Sequence, residues 1–440
     1  MVSTIRREEH ALWDDGGDIA SNVTRLACEV KEASQSLAYA SEESRNKALR
    51  CASRQLRQNK KAILSANEQD CDMARQHLPP ASPLLDRLAL TEARIESMAT
   101  GLENIADIDD PLGRVLASWS CAGNGLRIKR VSVPLGVIAV IYEARPNVTA
   151  DAAGLCIKSG NGALLRAGSE SLRSSLVIMQ CMQEGLREAG LPPRCVCLIP
   201  HRSREAVGVL LSLQTLIDII VPRGGASLIK RVEEESRIPV IRHLQGLCHS
   251  YIHRQADKDK ARAIVFNAKM RRPGICGATE TLLIDRDVIA THLAGLVDDL
   301  QKAGCVLCGD EDIVAWGEGA GYPITRASDE DWATEYLEAR LSMRAVDDIH
   351  GAIDHIQRYG SHHTEAIITE DKEAVRLFMG RVDAAILMHN TSTQFADGGE
   401  FGMGAEIGIS TNKLHARGPV GAHQLTSYSY HVDSDGSIRP

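Results

Sequence analysis

No stretch of this 440-residue sequence is long and apolar enough to read as a membrane span. The longest apolar runs, residues 133–142 and 207–221, are broken by Pro134 in one and by Gln214 and Asp218 in the other, short of the roughly 20 clean residues a span needs. A basic excess is also lacking. With a net charge of −8 and a pI near 6.0, nothing global draws the chain to nucleic acid or to an anionic membrane. The first ten residues reach two acids without an apolar stretch, so no secretory signal is expected and the protein is expected in the cytoplasm. Internal repeats, low-complexity tracts and heptad arrays are missing, and so is a G-x-G-x-x-G placed between an early strand and a helix. Gly317-Glu-Gly319-Ala-Gly321 has the wrong spacing and setting for one.

Cysteine, by contrast, is plentiful, with twelve in the chain. Two close pairs, Cys195/Cys197 and Cys305/Cys308, suggest metal ligands at first sight, but each follows a helix-breaking segment and lies in an apolar run. That pattern fits buried strands in a reduced cytosolic protein, and no metal site is expected.

The chain is long enough for two or three domains. Residues 21–76 have helical periodicity without proline, and a further helix is expected over 91–106, opened by Thr91 and Glu92. Residues 126–133 alternate apolar with polar, as a half-exposed strand does, and 137–141 are continuously apolar, as a strand covered on both faces is. Helices and strands then alternate: 151–156, 162–166, 169–190, 195–199, 203–211, 217–221, a helix after Gly225 and a strand at 240–241, with a second alternating block over 265–387. Such alternation predicts doubly wound, mostly parallel sheets in an α/β protein. Residues 425–432 alternate again and stand alone at the end, so their strand is expected to pair with a strand outside its own sheet.

Four loops sit where ligands bind such sheets: 142–151 after the apolar strand, 158–162, Pro222-Arg-Gly-Gly225 at a helix start, and the glycine-rich 397–408. Cys276 stands apart from the other thiols. Lys269, Arg271 and Arg272 precede it, and Gly274 and Gly277 flank it, a setting able to favour a thiolate and to let substrate approach. Read from these neighbours alone, nucleophile and ordinary buried sulfur are equally supported. The histidines, among them His243, His249, His253 and the pair His362-His363, form no triad and read as surface or hydrogen-bonded core residues.

Four segments, residues 142–161, 221–225, 267–276 and 400–419, together resemble the γ-glutamyl phosphate reductase family, a branch of the aldehyde dehydrogenase superfamily. The resemblance runs from about residue 21 to the C-terminus. It implies NADPH-dependent reduction of L-glutamyl 5-phosphate to L-glutamate 5-semialdehyde and phosphate, the second step of proline biosynthesis. It assigns Cys276 as the nucleophile and Asn147 as a donor to the oxyanion. Lys158, Ser159 and Asn161 are expected at the cofactor's ribose, and Arg223, Gly224 and Gly225 at its pyrophosphate. Asn161 stands where NAD-selective relatives often carry an acid, so NADP is expected over NAD. Arg145, Arg271 and Arg272 are candidates for the departing phosphate or for the substrate's carboxylate.

The implied architecture is an aldehyde-dehydrogenase-like pair of doubly wound domains: a cofactor domain over 1–120 and 139–252, a catalytic domain over 253–410, and a small β oligomerisation element over 121–138 and 411–440. A homo-oligomer is expected, with a separate glutamate 5-kinase supplying the labile acyl phosphate. Two other readings stay open at this stage. One is a hydrolytic NAD(P)-dependent aldehyde dehydrogenase, which needs a glutamate base that residues 243–249 do not offer. The other is a non-catalytic nucleotide-binding redox sensor, for which Cys276 would be dispensable.

Overall fold

The computed structural model describes residues 18–79, 82–242 and 245–439, which fall into two compact units. The first comprises residues up to 242 together with 402–408 and 420–440; the second comprises 243–401 and 409–419.

In the first unit, helices Ile19–Ala38, Glu42–Gln58 and Lys60–Arg75 fill the predicted helical region. Asp18 and Ser41 cap the first two by accepting from Ser21 and Ser44 N–H groups, and Val23, Leu26, Ala27, Val30 and Leu37 turn inward at helical spacing. Thr91 caps helix Glu92–Asp107 as expected. Strands β1 (Val115–Cys121) and β2 (Leu126–Pro134) form an antiparallel ribbon, and the C-terminal strand Thr426–Asp433 adds antiparallel to β2. The isolated tail strand thus finds its partner within the chain.

A parallel sheet follows, built from β3 (Val137–Tyr142), β4 (Gly162–Arg166), β5 (Val196–Leu198) and β6 (Ile219–Arg223) in the order β5-β4-β3-β6, with Val240 bridged beside Ile220. All of β3 is buried. Ile138, Val140 and Tyr142 enter one apolar cluster while Val137, Ala139 and Ile141 enter another, so the period-two pleat feeds a core on each face.

The second unit holds β7 (Cys248–Ile252), β8 (Thr279–Asp285), β9 (Val306–Gly309), β10 (Thr325–Arg326), β11 (Arg340–Val346), β12 (Thr364–Ile368) and β13 (Ile386–His389). Their order is β10-β9-β11-β8-β7-β12-β13, every pair parallel. A doubly wound α/β architecture with mostly parallel sheets is therefore observed.

The divisions differ from those read in the sequence. β7 pairs with β8 and β12, so the first unit ends at 242 rather than 252. Residues 409–419 join the second unit, because Ile409–Ser410 and Gly418–Pro419 pair there and Ile409 packs with Ile386 and Met388. The small sheet also begins earlier, at Val115, in a strand whose residues are mostly exposed on both faces and so carry no alternation to read.

Candidate active site

Cys276 lies in the turn between helix Lys258–Met270 and β8. Together with Cys28 and Cys121 it is one of only three cysteines that are not buried, and none of the twelve forms a disulfide. Burial pushes the thiols of Cys156, Cys181, Cys195 and Cys305 up to about 12, which removes them as nucleophiles near neutral pH. Both suspect cysteine pairs are buried, Cys197 and Cys308 within strands and Cys195 and Cys305 just ahead of them, and no cluster of metal ligands exists among the described residues.

The Cys276 turn is held from two sides. Ala278 N–H donates to the Ile275 carbonyl at 3.0 Å, which fixes the plane of the peptide carrying the Cys276 N–H. From the other side, the segment leading into β7 presses on the Cys276 backbone. The buried Cys248 thiol donates to the Cys276 carbonyl at 3.1 Å, and a methyl group added at Gly246 would stand 2.0 Å from that same oxygen. Only glycine permits this approach. Gly246 N–H in turn donates to Glu335 Oε1 at 2.9 Å, and Leu247 N–H to Ser361 Oγ at 2.9 Å. Gln245, exposed at the start of this segment, is an amide, so the position carries no base for water.

The three cations expected near the thiol separate. Lys269 is fully buried, 2.5 Å from Glu280, whose carboxyl is raised to about 7 by burial against the pull of that lysine. Its charge is spent on that partner. Arg271 and Arg272 remain exposed, with no ion pair among the described residues. Arg145 is half-buried in the first unit.

The described histidines among those singled out in the sequence are engaged away from the thiol. His249 is buried 2.8 Å from Glu365, His253 bonds Thr369 at 2.8 Å, His363 is buried beside Thr364, and His362 is exposed near Asp383. His243 lies outside the described residues.

In the first unit, the strand order reverses between β3 and β6, so the ligand crevice of this sheet lies beyond their carboxyl ends. Arg223, Gly224 and Gly225 are there, leading into helix Ala226–Glu235. Glu143, the residue after β3, accepts from Gly225 N–H at 2.8 Å, and a methyl at Gly224 would meet its carboxylate at 2.6 Å. Arg166 ends β4 at the same edge. It is largely buried, it donates to the Arg202 and Ser203 carbonyls at 3.1 and 3.4 Å, and its Nε has no partner. Burial pulls its guanidinium down, with Glu170 and Glu143 opposing.

Lys158, Ser159 and Asn161 sit elsewhere. They close helix Val148–Lys158 ahead of β4, at the amino end of the sheet and away from that crevice. Lys158 is fully buried with its ammonium bonded to Glu42 at 3.1 Å, Asn46 at 2.8 Å and the Ala106 carbonyl at 3.1 Å. Ser159 bonds the Leu155 carbonyl at 2.7 Å. Asn161 donates to Leu425 O at 2.8 Å and accepts from Gly136 N–H at 2.9 Å, tying the sheet to the C-terminal segment. The cofactor role expected of these three gives way to a structural one, because their polar atoms are consumed internally. Glu143 belongs to the 142–151 loop marked in the sequence as a ligand loop, and Glu170, which accepts from Ala144 N–H at 3.2 Å, stands beside it at the same edge.

Asn147 opens helix Val148–Lys158 and is half-buried. Its side-chain amide donates to Asp151 Oδ2 at 3.0 Å, one turn on, which fixes the amide's orientation. Burial raises the Asp151 carboxyl to about 6, with the Asn147 bond and Arg223 pulling the other way.

A doubly wound sheet with anion-ready loops, and a second unit presenting one braced, accessible cysteine, define a class that sequence comparison names directly. The chain matches the aldehyde dehydrogenase family over residues 18–313. It is 55% identical over 416 residues to γ-glutamyl phosphate reductase of Nitrobacter winogradskyi, covering 94% of this chain and 96% of that one. Identity to the enzyme of the same name from Rhodospirillum rubrum is 54%, over 96% of this chain and 98% of that one. The crystal structure of γ-glutamyl phosphate reductase from Thermotoga maritima superposes with a TM-score of 0.91 at 38% identity, covering 95% of this chain and 100% of that one. The chain belongs to the aldehyde dehydrogenase family and, within it, to the γ-glutamyl phosphate reductases.

Proposed function

We propose that this protein reduces L-glutamyl 5-phosphate with NADPH to L-glutamate 5-semialdehyde and inorganic phosphate, the second step of proline biosynthesis. The observation that carries this reading over hydrolysis is the segment braced on Cys276: its residue 245 is an amide, and the carboxylate that reaches it, Glu335, accepts from Gly246 N–H.

In this reading the Cys276 thiolate attacks the acyl carbon, the C–O bond to phosphorus breaks, and phosphate leaves with the electron pair. The Cys276 N–H, set by the 275–278 turn, stabilises the oxyanion, and the family resemblance assigns the Asn147 amide, whose orientation Asp151 sets, as the second donor. The dinucleotide, when bound, supplies hydride to the resulting thioester. Collapse of the tetrahedral adduct breaks the C–S bond, returns the thiolate and frees the aldehyde. No water is activated and no proton is taken up at sulfur, so the chemistry suits a site without a histidine base.

Arg166, Arg223, Gly224 and Gly225 are the residues we assign to the cofactor: Arg223 and the two-glycine turn at a helix start for the pyrophosphate, which would take the Gly225 N–H over from Glu143, and a guanidinium with an unpartnered Nε for the ribose end, where a cation favours NADP. Arg166→Ala is expected to raise KM for NADPH about tenfold. Lys158→Met, by contrast, should leave that KM in place and lower stability by about 2 kcal/mol, since it strands the buried Ala106 carbonyl and removes the bonds to Glu42 and Asn46. Titrating both variants with cofactor, alongside melting curves, separates the two roles.

The exposed Trp119, Tyr428, Tyr430 and Val432 of the small sheet support it as the place where a second copy docks. Among the described residues no helix is long and apolar enough to cross a membrane. The reading is tested by following NADP reduction with glutamate 5-semialdehyde: turnover should require phosphate. Oxidation to free glutamate at the same rate without phosphate would favour the hydrolytic alternative instead.

A further inference from the structure

The second unit contains a cleft of about 270 Å³ next to the nucleophile turn. Asn267 and Arg271 line it from the end of helix Lys258–Met270, and Asn390, Ser392, Gln394 and Glu400 line it from the segment after β13. The wall is built rather than loose. Gln394 is buried, with its Nε2 donating to the Ala268 carbonyl at 2.9 Å and to that of Arg272 at 3.4 Å, and Asn390 bonds both polar backbone atoms of Thr369 at 2.9 and 3.0 Å. The same wall reaches the nucleophile: a methyl on Gly277 would lie 3.7 Å from Gln394 Cα and 3.1 Å from the Thr393 carbonyl.

Two opposite charges on this cleft are unspent. Arg271 and Glu400 are both exposed, and neither has an ion pair among the described residues, whereas Lys260, Arg262 and Lys269 on helix Lys258–Met270 are each paired. The Asn267 side-chain amide is likewise without a partner among those residues. A phosphate would gain Arg271 but meet repulsion from Glu400. A zwitterion is matched by both.

We propose that this cleft takes the α-amino and α-carboxylate end of the substrate, with Arg271 on the carboxylate and Glu400, assisted by Asn267, on the ammonium. The proposal rests on the reaction assigned above and divides its substrate between two places: the reacting carbonyl at Cys276 and, a short aliphatic chain away, the charged end in the cleft. It gives Arg271 the carboxylate, not the departing phosphate. Selectivity for an amino-acid aldehyde over a plain one would then reside in residues remote from the chemistry.

The test compares three aldehydes with NADP and phosphate: glutamate 5-semialdehyde, 5-oxopentanoate, which lacks the amine, and 4-aminobutanal, which lacks the carboxylate. In Glu400→Gln the preference in kcat/KM for the semialdehyde over 5-oxopentanoate should fall at least tenfold while the preference over 4-aminobutanal persists. Arg271→Met should do the reverse. Because each ratio is internal to one variant, partial misfolding cancels. Unchanged ratios in both variants, or an Arg271→Met effect confined to the KM for phosphate, would overturn the assignment with the reaction intact. Wild-type enzyme that shows no phosphate-dependent turnover of the semialdehyde would instead remove the reaction itself, and the cleft assignment with it.

Discussion

Cys276→Ala is expected to lose phosphate-dependent reduction of NADP by glutamate semialdehyde by at least about 10⁴-fold, with a melting curve close to wild type. The other thiols cannot substitute. Cys248, which touches the same turn, is buried and its thiol lies well above the ordinary range, with its hydrogen already donated to the Cys276 carbonyl. Cys276→Ser should be nearly as inactive, because a hydroxyl without a base remains un-ionised, and His249, His253 and His363 are buried on partners of their own. Retained activity in Cys276→Ala would remove Cys276 as the nucleophile, and wild-type protein with no turnover at all would return the non-catalytic redox-sensor reading to consideration.

Gly246→Ala should be the next most damaging change, although residue 246 performs no chemistry. Its new methyl would lie 2.0 Å from the Cys276 carbonyl oxygen and 2.7 Å from Cys276 Cα, and these are backbone atoms that cannot rotate away. The nucleophile turn or the segment leading into β7 must therefore shift. A displacement of about 1 Å at the nucleophile costs on the order of 100-fold in kcat, and the overpacking itself about 1–3 kcal/mol of stability. Gly274→Ala is the control in the same loop. Its added methyl meets nothing closer than the Leu337 carbonyl at 3.5 Å, so activity within a few-fold of wild type is expected. Parallel assays and urea melts of the two variants separate a close-approach glycine from one that is merely nearby.

The contrast between these two glycines shows what the sequence could and could not convey. Gly274 and Gly277 were visible as neighbours of Cys276, whereas Gly246 comes within reach only because β7 and β8 pair in parallel, which no local spacing announces. β3 and β4 were legible because a strand buried on both faces writes a continuous apolar run. β1 was not, because its residues are largely exposed on either face.

The Lys158 expectation failed for a topological reason. Its turn precedes β4, which puts it at the amino edge of a sheet whose ligands bind at the carboxyl edge, while Arg166 at the end of the same strand occupies the right edge. Likewise, nothing in residues 269–272 distinguishes the lysine neutralised by Glu280 from the two arginines left exposed, since Glu280 meets Lys269 only after the nucleophile turn folds back.

The most direct test of the account is the fate of the acyl group on Cys276. Enzyme incubated with NADP and glutamate semialdehyde in the absence of phosphate, quenched in acid and examined by peptide mass spectrometry, should carry one glutamyl adduct on the Cys276 peptide. Added phosphate should discharge that adduct and restore turnover. An adduct on another cysteine, or free glutamate accumulating with each NADPH formed while phosphate is absent, would contradict it.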